Sequence, residues 1–276
     1  MRNRLHVLSL FPLACLIGCS LPYTQPTQTI TGNWQIQSGT AITPTATAAY
    51  LTGALQNQGG QVTGTLSYTA GDPLSFTGTF DSTKGILALT STTENSYNLQ
   101  LTVPSDYNNL STGTLIVAGT YNPLVTTTSV VAVEVAPLNG TYTGTLSGTL
   151  TTYTSGTLTT APISGTVSLA LTQSTTPNSN GQFPLTGTIT FPSGSGMSPV
   201  TLPGLISGIP IWLNNEPCVT EFSEYAVCTI SSQTGSTLNA YTNPTATQIA
   251  ITNLHNSSVS GTTNTGITLT GTLTLQ

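Results

Sequence analysis

Apolar and polar residues alternate along most of the chain from residue 30 onward. Between residues 61 and 69, apolar or small residues occupy the even positions, and threonine, serine or glutamine occupies the odd positions. The same period of two recurs at 74–80, 97–103, 183–191 and 267–275. This alternation is typical of antiparallel strands with one face on a core and the other in water. It predicts an all-β protein, and no stretch has the spacing of a helical stripe.

Turn sequences divide these runs into two sets of strands. The first set is predicted near 31–37, 47–57, 61–69, 74–81, 86–92, 96–103, 112–121 and 129–136. The second set begins at 138–142 and is predicted near 140–147, 163–173, 183–191, 199–212, 226–232, 236–242, 247–253 and 266–275. Short turns between successive strands favour antiparallel meanders. We therefore expect two β-domains, at residues 30–137 and 138–276.

The tripeptide Thr-Gly-Thr recurs in both halves, at 63–65, 77–79, 112–114, 143–145, 186–188 and 270–272. In several of these the glycine falls on the apolar face in the middle of a strand. Glycine weakens a flat strand, so its repeated use predicts bending or a close approach of neighbouring backbones. Closed barrels need such kinks. The alternative is that a chain rich in Thr and Gly produces the tripeptide by chance.

Gly32-Asn33-Trp34 stands at the start of the first predicted strand, and Gly140-Thr141-Tyr142 opens the second half. The Gly-x-Trp element resembles the lipocalin signature, in which the tryptophan closes the bottom of an eight-stranded barrel. The resemblance implies two tandem lipocalin-like barrels, with Tyr142 in the place of the second tryptophan. The chain departs from the pattern because it has no arginine beyond residue 4 to cover the tryptophan from the last strand. Two β-sandwiches are the alternative.

The beginning of the chain has the features of an export signal. Arg2 and Arg4 precede an apolar run at 5–17, which is shorter than the ~18 residues that span a bilayer. The run ends in Leu16-Ile17-Gly18-Cys19, which resembles the lipobox of bacterial lipoproteins. The resemblance implies that residues 1–18 are a signal peptide and that Cys19 carries diacylglycerol and becomes the new N-terminus. The alternative is an ordinary secretory signal that is cleaved nearby, after Ser20.

Acylation at Cys19 would hold the protein on the membrane, because two acyl chains already give stable anchoring. Ser20 follows the cysteine, in place of the aspartate that retains enterobacterial lipoproteins at the inner membrane. We therefore expect the cell envelope, and the outer rather than the inner membrane. Residues 19–29 contain Pro22 and Pro26 and are predicted to be an extended tether.

Charged residues make up only 4% of the chain, against ~25% in ordinary soluble domains. After removal of residues 1–18, Lys84 is the single cation against eight carboxylates, which leaves a formal charge of −7. Nucleic acid is excluded as a partner, because neutralising phosphates requires a basic patch.

Two cysteines remain once Cys15 has left with the leader and Cys19 is acylated. Cys218 and Cys228 form an even pair, which is expected to be oxidised outside the cytoplasm. The disulfide would close a short ring and contribute roughly 2.5–3 kcal/mol.

The chain offers little for catalysis. His255 is the single histidine after residue 18, in a polar and turn-like stretch, and there is no Gly-x-Ser-x-Gly elbow. We therefore expect a protein that is not an enzyme, with no catalytic residues, cofactor or metal site.

Carboxylates and aromatic residues are concentrated near the cysteine pair. This candidate binding patch comprises Trp212, Glu216, Glu221, Phe222, Glu224 and Tyr225. Such groups suit a cation or a carbohydrate. The alternative is an irregular connection whose aromatic side chains pack into the end of the barrel.

The expected function is that of a non-catalytic, membrane-anchored envelope lipoprotein that binds a small apolar ligand in a barrel or has a structural role. An adhesion or display module is the alternative, with its Thr/Ser-rich outer faces touching an envelope protein or glycan. A cavity of roughly 300 Å³ or more would favour ligand carriage. Filled interiors and exposed aromatic side chains would favour interaction.

Overall fold

A computed structural model describes residues 30–42, 50–68, 72–92, 95–104, 110–119, 125–214 and 235–276. The described residues form sixteen strands and no helix. In this part of the chain, therefore, no helix is long and apolar enough to cross a membrane.

The first barrel (barrel 1) contains the first eight strands in meander order. Each strand pairs antiparallel with its neighbours in sequence, and β1 pairs with β8 to close the barrel. Its strands are β1 (Gly32–Ser38), β2 (Tyr50–Gln58), β3 (Gln61–Tyr68), β4 (Pro73–Asp81), β5 (Ile86–Thr92), β6 (Asn95–Thr102), β7 (Ser111–Gly119) and β8 (Val125–Val135).

The second barrel (barrel 2) repeats this arrangement, with β9 and β16 as the closing pair. Its strands are β9 (Asn139–Thr154), β10 (Thr157–Gln173), β11 (Phe183–Thr190), β12 (Val200–Ile206), β13 (Pro210–Asn214), β14 (Ser236–Thr242), β15 (Gln248–Ser260) and β16 (Thr263–Leu275). The prediction of two antiparallel meander barrels is confirmed, and the β-sandwich alternative is wrong.

Some boundaries in barrel 2 differ from the prediction. The single strand predicted at 199–212 is two strands, because the chain turns at 207–209 with Gly208 in the left-handed region (φ 64°). The strand predicted at 226–232 lies outside the described residues. Strands β9, β10, β15 and β16 are all longer than predicted, mostly by residues that are half-buried or exposed.

The interiors of both barrels are filled mainly by aliphatic and aromatic side chains. Trp34 in barrel 1 and Tyr142 in barrel 2 are both fully buried. Each donates a hydrogen bond to a backbone carbonyl, from Trp34 Nε1 to Ile30 (3.0 Å) and from Tyr142 Oη to Ala246 (2.7 Å). Trp34 and Tyr142 therefore occupy equivalent positions, as predicted, because each is a buried aromatic residue on the first strand of its barrel. On the closing strand of barrel 1, Glu134 lies opposite Trp34.

Four of the Thr-Gly-Thr glycines are sites of close backbone approach. At Gly64, Gly78, Gly113 and Gly144, a Cβ atom would overlap a carbonyl oxygen of the adjacent strand. Any larger residue would push the two strands apart. The predicted close approach of neighbouring backbones is therefore confirmed at these four positions.

The two barrels pack against each other through the outer face of β8, β1 and β2. Val133 and Val135 on β8, and Ala54 on β2, belong to the same apolar cluster as the interior of barrel 2. Strand β1 and the second half of β8 are consequently buried on both faces. The expectation that one face of each strand is wet is wrong for these two strands, because barrel 2 covers their outer face.

Polar side chains on the same outer face bind the turn at 207–209. Asn33 donates from Nδ2 to the carbonyl of Gly208 (2.8 Å) and accepts at Oδ1 from its N–H (2.6 Å). Gln35 Oε1 accepts from the N–H of Ile209 (3.0 Å), and Ser207 Oγ donates to Thr52 Oγ1 (2.8 Å). All four bonds are buried, and we call this arrangement the clamp. It joins the two barrels into one packed unit.

Candidate functional site

Of the residues proposed from sequence as a site, only Trp212 lies within the described part of the chain. Cys19, Glu216, Cys218, Glu221, Phe222, Glu224, Tyr225 and Cys228 lie outside it. Trp212 lies on β13 between Leu205 of β12 and Asn239 of β14, and 39% of its surface is exposed. The lipid, the disulfide and the rest of the candidate patch therefore stay predictions.

Barrel 1 has a pocket where β1, β3 and β7 end. Its volume is about 140 Å³, and its wall includes Ile36, Leu51, Leu115 and Tyr68. This volume is below the ~300 Å³ that typically holds a drug-sized ligand. The pocket is therefore too small for a drug-sized ligand and could hold only a smaller molecule.

Aromatic rings pack beside this pocket. The rings of Tyr68 and Tyr97 lie 5.8 Å apart, and those of Phe76 and Tyr97 lie 6.4 Å apart. The pKa of Tyr68 is raised, mainly by burial and to a smaller extent by the nearby Tyr97. Its hydroxyl is therefore protonated at neutral pH. The pocket therefore offers an uncharged, mostly apolar surface with a hydroxyl donor.

Barrel 2 is tightly packed at the corresponding interior positions. A Cβ atom at Gly187 would overlap the side chain of Leu213 and crowd that of Leu171. Side chains from β10 and β13 therefore pack over Gly187 inside the barrel. The exposed apolar side chains of barrel 2 lie on its outer surface.

The most prominent outer feature of barrel 2 is a four-stranded extension formed by residues 149–162 and 255–268, which we call the wing. It consists of the β9–β10 and β15–β16 hairpins, in the order β10-β9-β16-β15. Strand β11 pairs with β10 only from Ser168 onward, so the hairpins continue beyond the barrel wall. No described strand pairs with the outer edge of β10 in the wing.

The tip of the wing carries a row of side chains in register across its four strands. Leu158 pairs with Tyr153, Tyr153 with Asn264, and Asn264 with Val259. Directly opposed residues of antiparallel strands project from the same face. Since this face continues the outside of the barrel, the tip row (Leu158, Tyr153, Asn264, Val259) points away from the core.

Three members of the tip row are large apolar residues with high exposure. Leu158 is 64% exposed, Tyr153 48% and Val259 43%. They are three of the five large hydrophobic residues exposed in the described chain, and the other two are Val125 and Trp212. Their concentration on one face of two adjacent hairpin tips distinguishes the row from apolar residues scattered singly over a surface.

The surface around the tip row is uncharged and rich in hydroxyl groups. The next row toward the barrel is Thr160, Thr151, Gly266 and Ser257. The described residues of barrel 2, 138–214 and 235–276, include no Asp, Glu, Lys or Arg. The wing therefore presents neutral donors and acceptors around a small apolar centre.

His255 lies at the base of the wing, in the middle of β15. It is half-buried, and its Nδ1 lies 3.3 Å from Thr268 Oγ1. Burial lowers the pKa of its imidazole. The expectation of a turn-like stretch is wrong, because β15 continues past His255 to Ser260. Among the described residues, no three His, Cys, Asp or Glu side chains come together as metal ligands.

Comparisons with known proteins find little similarity. No protein family matches the sequence, and no curated protein is significantly similar to it. Among solved structures, transferrin binding protein B from Haemophilus parasuis aligns over 83% of this chain and 54% of its own, at 11% identity and a TM-score of 0.26. The corresponding protein from Neisseria meningitidis aligns over 89% and 56%, at 13% identity and a TM-score of 0.24.

A third alignment is with a protein of unknown function of the DUF3598 family from Nostoc punctiforme. It covers 87% of this chain and 94% of that protein, at 12% identity and a TM-score of 0.20. The chain spans about half the length of the transferrin binding proteins. TM-scores this low carry no argument about function.

Sequence reasoning missed the wing because its residues lack apolar alternation. The signal that was available is Ser155-Gly156, both with positive φ (51° and 86°), which forms the two-residue turn of the β9–β10 hairpin. A Ser-Gly pair between Thr-rich segments is a turn signal.

Proposed function

We propose that the protein is a non-catalytic envelope lipoprotein that binds a macromolecular partner through the outer face of barrel 2. The observation that carries this proposal is the tip row, where Leu158, Tyr153 and Val259 are exposed together on one face of the wing. The interiors of both barrels are filled mainly by side chains, which supports the same proposal because the outer surface is then the larger area that a partner could contact. Acylation of Cys19 would hold the protein at the membrane.

The packing of the two barrels supports the presentation of this surface. The clamp and the apolar contacts of Val133 and Val135 fix barrel 2 on barrel 1. Ile30, where the tether ends, precedes β1, and β1 pairs with the end of β8, which leads into β9. The wing tip lies at the far end of β9, about 50 Å along that strand at ~3.3 Å per residue. An anchored chain would thus carry the tip away from its point of attachment.

Photo-crosslinking in intact cells tests this proposal. A photoreactive phenylalanine analogue in place of Tyr153 is expected to give adducts with an envelope component. The same analogue in place of Thr186, on the outer face of β11, is the matched control and is expected to give few. Equal adduct yields at the two positions, or none at either, would contradict partner binding through the wing.

A second candidate function is the binding of a small apolar ligand in barrel 1, which the pocket of about 140 Å³ beside Tyr68 favours. An engineered apolar cavity of ~150 Å³ accepts benzene, so a single ring or short alkyl group is the size that this pocket would take. Filling it by Val117→Phe would abolish such binding and leave wing adducts unchanged.

A further inference from the structure

The composition of the tip row indicates what kind of partner it fits. We propose that the tip row binds a neutral glycan, an inference that rests on the proposed function and names its partner. The row combines an aromatic ring, two aliphatic side chains and an amide on one exposed face. It spans three strand spacings, ~14 Å, which is long enough for several sugar units.

Sugar rings have apolar C–H faces and a rim of hydroxyl groups, and the tip row has a complement for each. The exposed ring of Tyr153 provides a flat apolar surface with a polar end. Beside it, the amide of Asn264 both donates and accepts, as sugar hydroxyl groups require. Leu158 and Val259 flank the pair on the outer strands.

The charge distribution selects a neutral partner. A glycan with carboxylate or sulfate groups would need cations, and the described part of barrel 2 has none. Lys84 belongs to barrel 1, and its Nζ lies 3.2 Å from Asp81 Oδ2. The hydroxyl groups of Thr151 and Thr160 next to the row can form hydrogen bonds without requiring charge, whereas that of Ser257 is engaged with the backbone of Gly235.

A second copy of the chain fits the row less well. Stable protein interfaces bury ~800 Å² on each partner, which is far more than three side chains provide. Two copies are also poorly suited to pair through the exposed edges of their β10 strands. Pro162 lies in that edge and has no N–H to donate.

A lipid surface fits the row less well too. Peripheral membrane attachment through a few apolar residues relies on Lys and Arg to attract anionic headgroups, and the wing has neither.

Affinity electrophoresis of the detergent-extracted, full-length protein tests the inference. Gels would contain dextran, soluble starch, β-1,3-glucan or glucomannan as neutral polymers, and polygalacturonate or heparin as charged ones. We expect at least one neutral polymer to retard the protein. Tyr153→Ala should weaken that retardation at least about tenfold, and Tyr153→Trp should preserve it because the flat ring is kept. Val125→Ala, which truncates an exposed apolar residue of barrel 1, is the control and should leave the retardation unchanged, and Trp212→Ala tests the candidate binding patch as the competing site.

Three outcomes would overturn the inference. They are retardation by charged polymers alone, no retardation by any neutral polymer, and loss of retardation in Trp212→Ala but not in Tyr153→Ala. The crosslinking experiment separates this failure from that of the proposed function. Adducts at position 153 that contain protein or lipid would support partner binding by the wing and reject the glycan, whereas the absence of adducts would reject both.

Discussion

Gly208 at the centre of the clamp offers a direct test of how the two barrels are joined. Its φ is +64°, and a Cβ atom there would lie 2.7 Å from Gln35 Oε1 and 2.8 Å from Thr52 Cγ2. Gly208→Ala therefore introduces both backbone strain and a steric conflict with barrel 1. Gly261, in the exposed β15–β16 turn, has nearly the same φ of +62° and nothing within 4 Å of the Cβ position. Gly261→Ala introduces only the strain.

The two substitutions should differ by the cost of disturbing the clamp around Gln35. An alanine in the left-handed region costs ~1 kcal/mol relative to glycine at either site. At Gly208 the added methyl group also displaces Gln35, whose Oε1 accepts from the buried N–H of Ile209. Leaving that N–H without an acceptor costs ~1–3 kcal/mol. We expect a loss of ~2–4 kcal/mol in the free energy of unfolding for Gly208→Ala, and ~1 kcal/mol for Gly261→Ala.

Equilibrium unfolding in urea measures the difference. Trp34 fluorescence in a Trp212→Phe background reports on barrel 1, and far-ultraviolet circular dichroism reports on both barrels. The two transitions should coincide in the parent protein and in both variants, and their midpoint should fall further in Gly208→Ala than in Gly261→Ala. Losses that agree within ~0.5 kcal/mol for the two alanine variants would refute the clamp as a stabilising contact.

Three further predictions concern barrel 2. Pro162→Thr restores an N–H to the exposed β10 edge, so light scattering should detect concentration-dependent association, and a strictly monomeric variant would contradict the edge assignment. Tyr142→Phe removes the buried bond to the Ala246 carbonyl and should cost ~1–3 kcal/mol by urea unfolding, whereas the exposed Tyr153→Phe should cost nothing measurable. Burial lowers the pKa of His255 below its unfolded value of 6.5, so the unfolded chain binds the proton first and stability falls as the pH drops through and below 6.5. In that range, the melting temperature of His255→Gln should vary less with pH than that of the parent protein.

The strand order and the barrel class were predictable because alternation and turn chemistry are local. Val62 to Tyr68 place their apolar side chains on one face whatever surrounds them, and Gly59-Gly60 marks the turn before them. Trp34 was likewise predictable as a buried residue of the first strand from three letters of sequence. These features depend on neighbours a few residues away.

The packing of the barrels against each other was not predictable in the same way. Asn33 and Gln35 read as the wet face of an ordinary strand, since polar residues alternate there with apolar ones. They are buried because the turn around Gly208, about 175 residues later, supplies matching backbone groups. The valine-rich segment at the end of β8, residues 130–135, was the one local sign that both faces of a strand are covered.

The site that the structure favours differs from the site predicted from sequence for a related reason. Sequence reasoning weighted carboxylates and aromatic residues that lie close together in the chain, around Trp212. The tip row is assembled from Tyr153, Leu158 and Val259, which become neighbours only when β9 pairs with β16 and β16 with β15. In the sequence each of them is a single apolar residue among Thr and Ser, and nothing local indicates that the three share one surface.

The proposed function places recognition on the outer surface of the barrels and not in their interiors. Native mass spectrometry of protein extracted in mild detergent distinguishes the two. We expect a mass equal to residues 19–276 with acyl groups on Cys19 and two hydrogens lost to the disulfide between Cys218 and Cys228, and nothing further bound. A small apolar molecule retained at one copy per chain would contradict it.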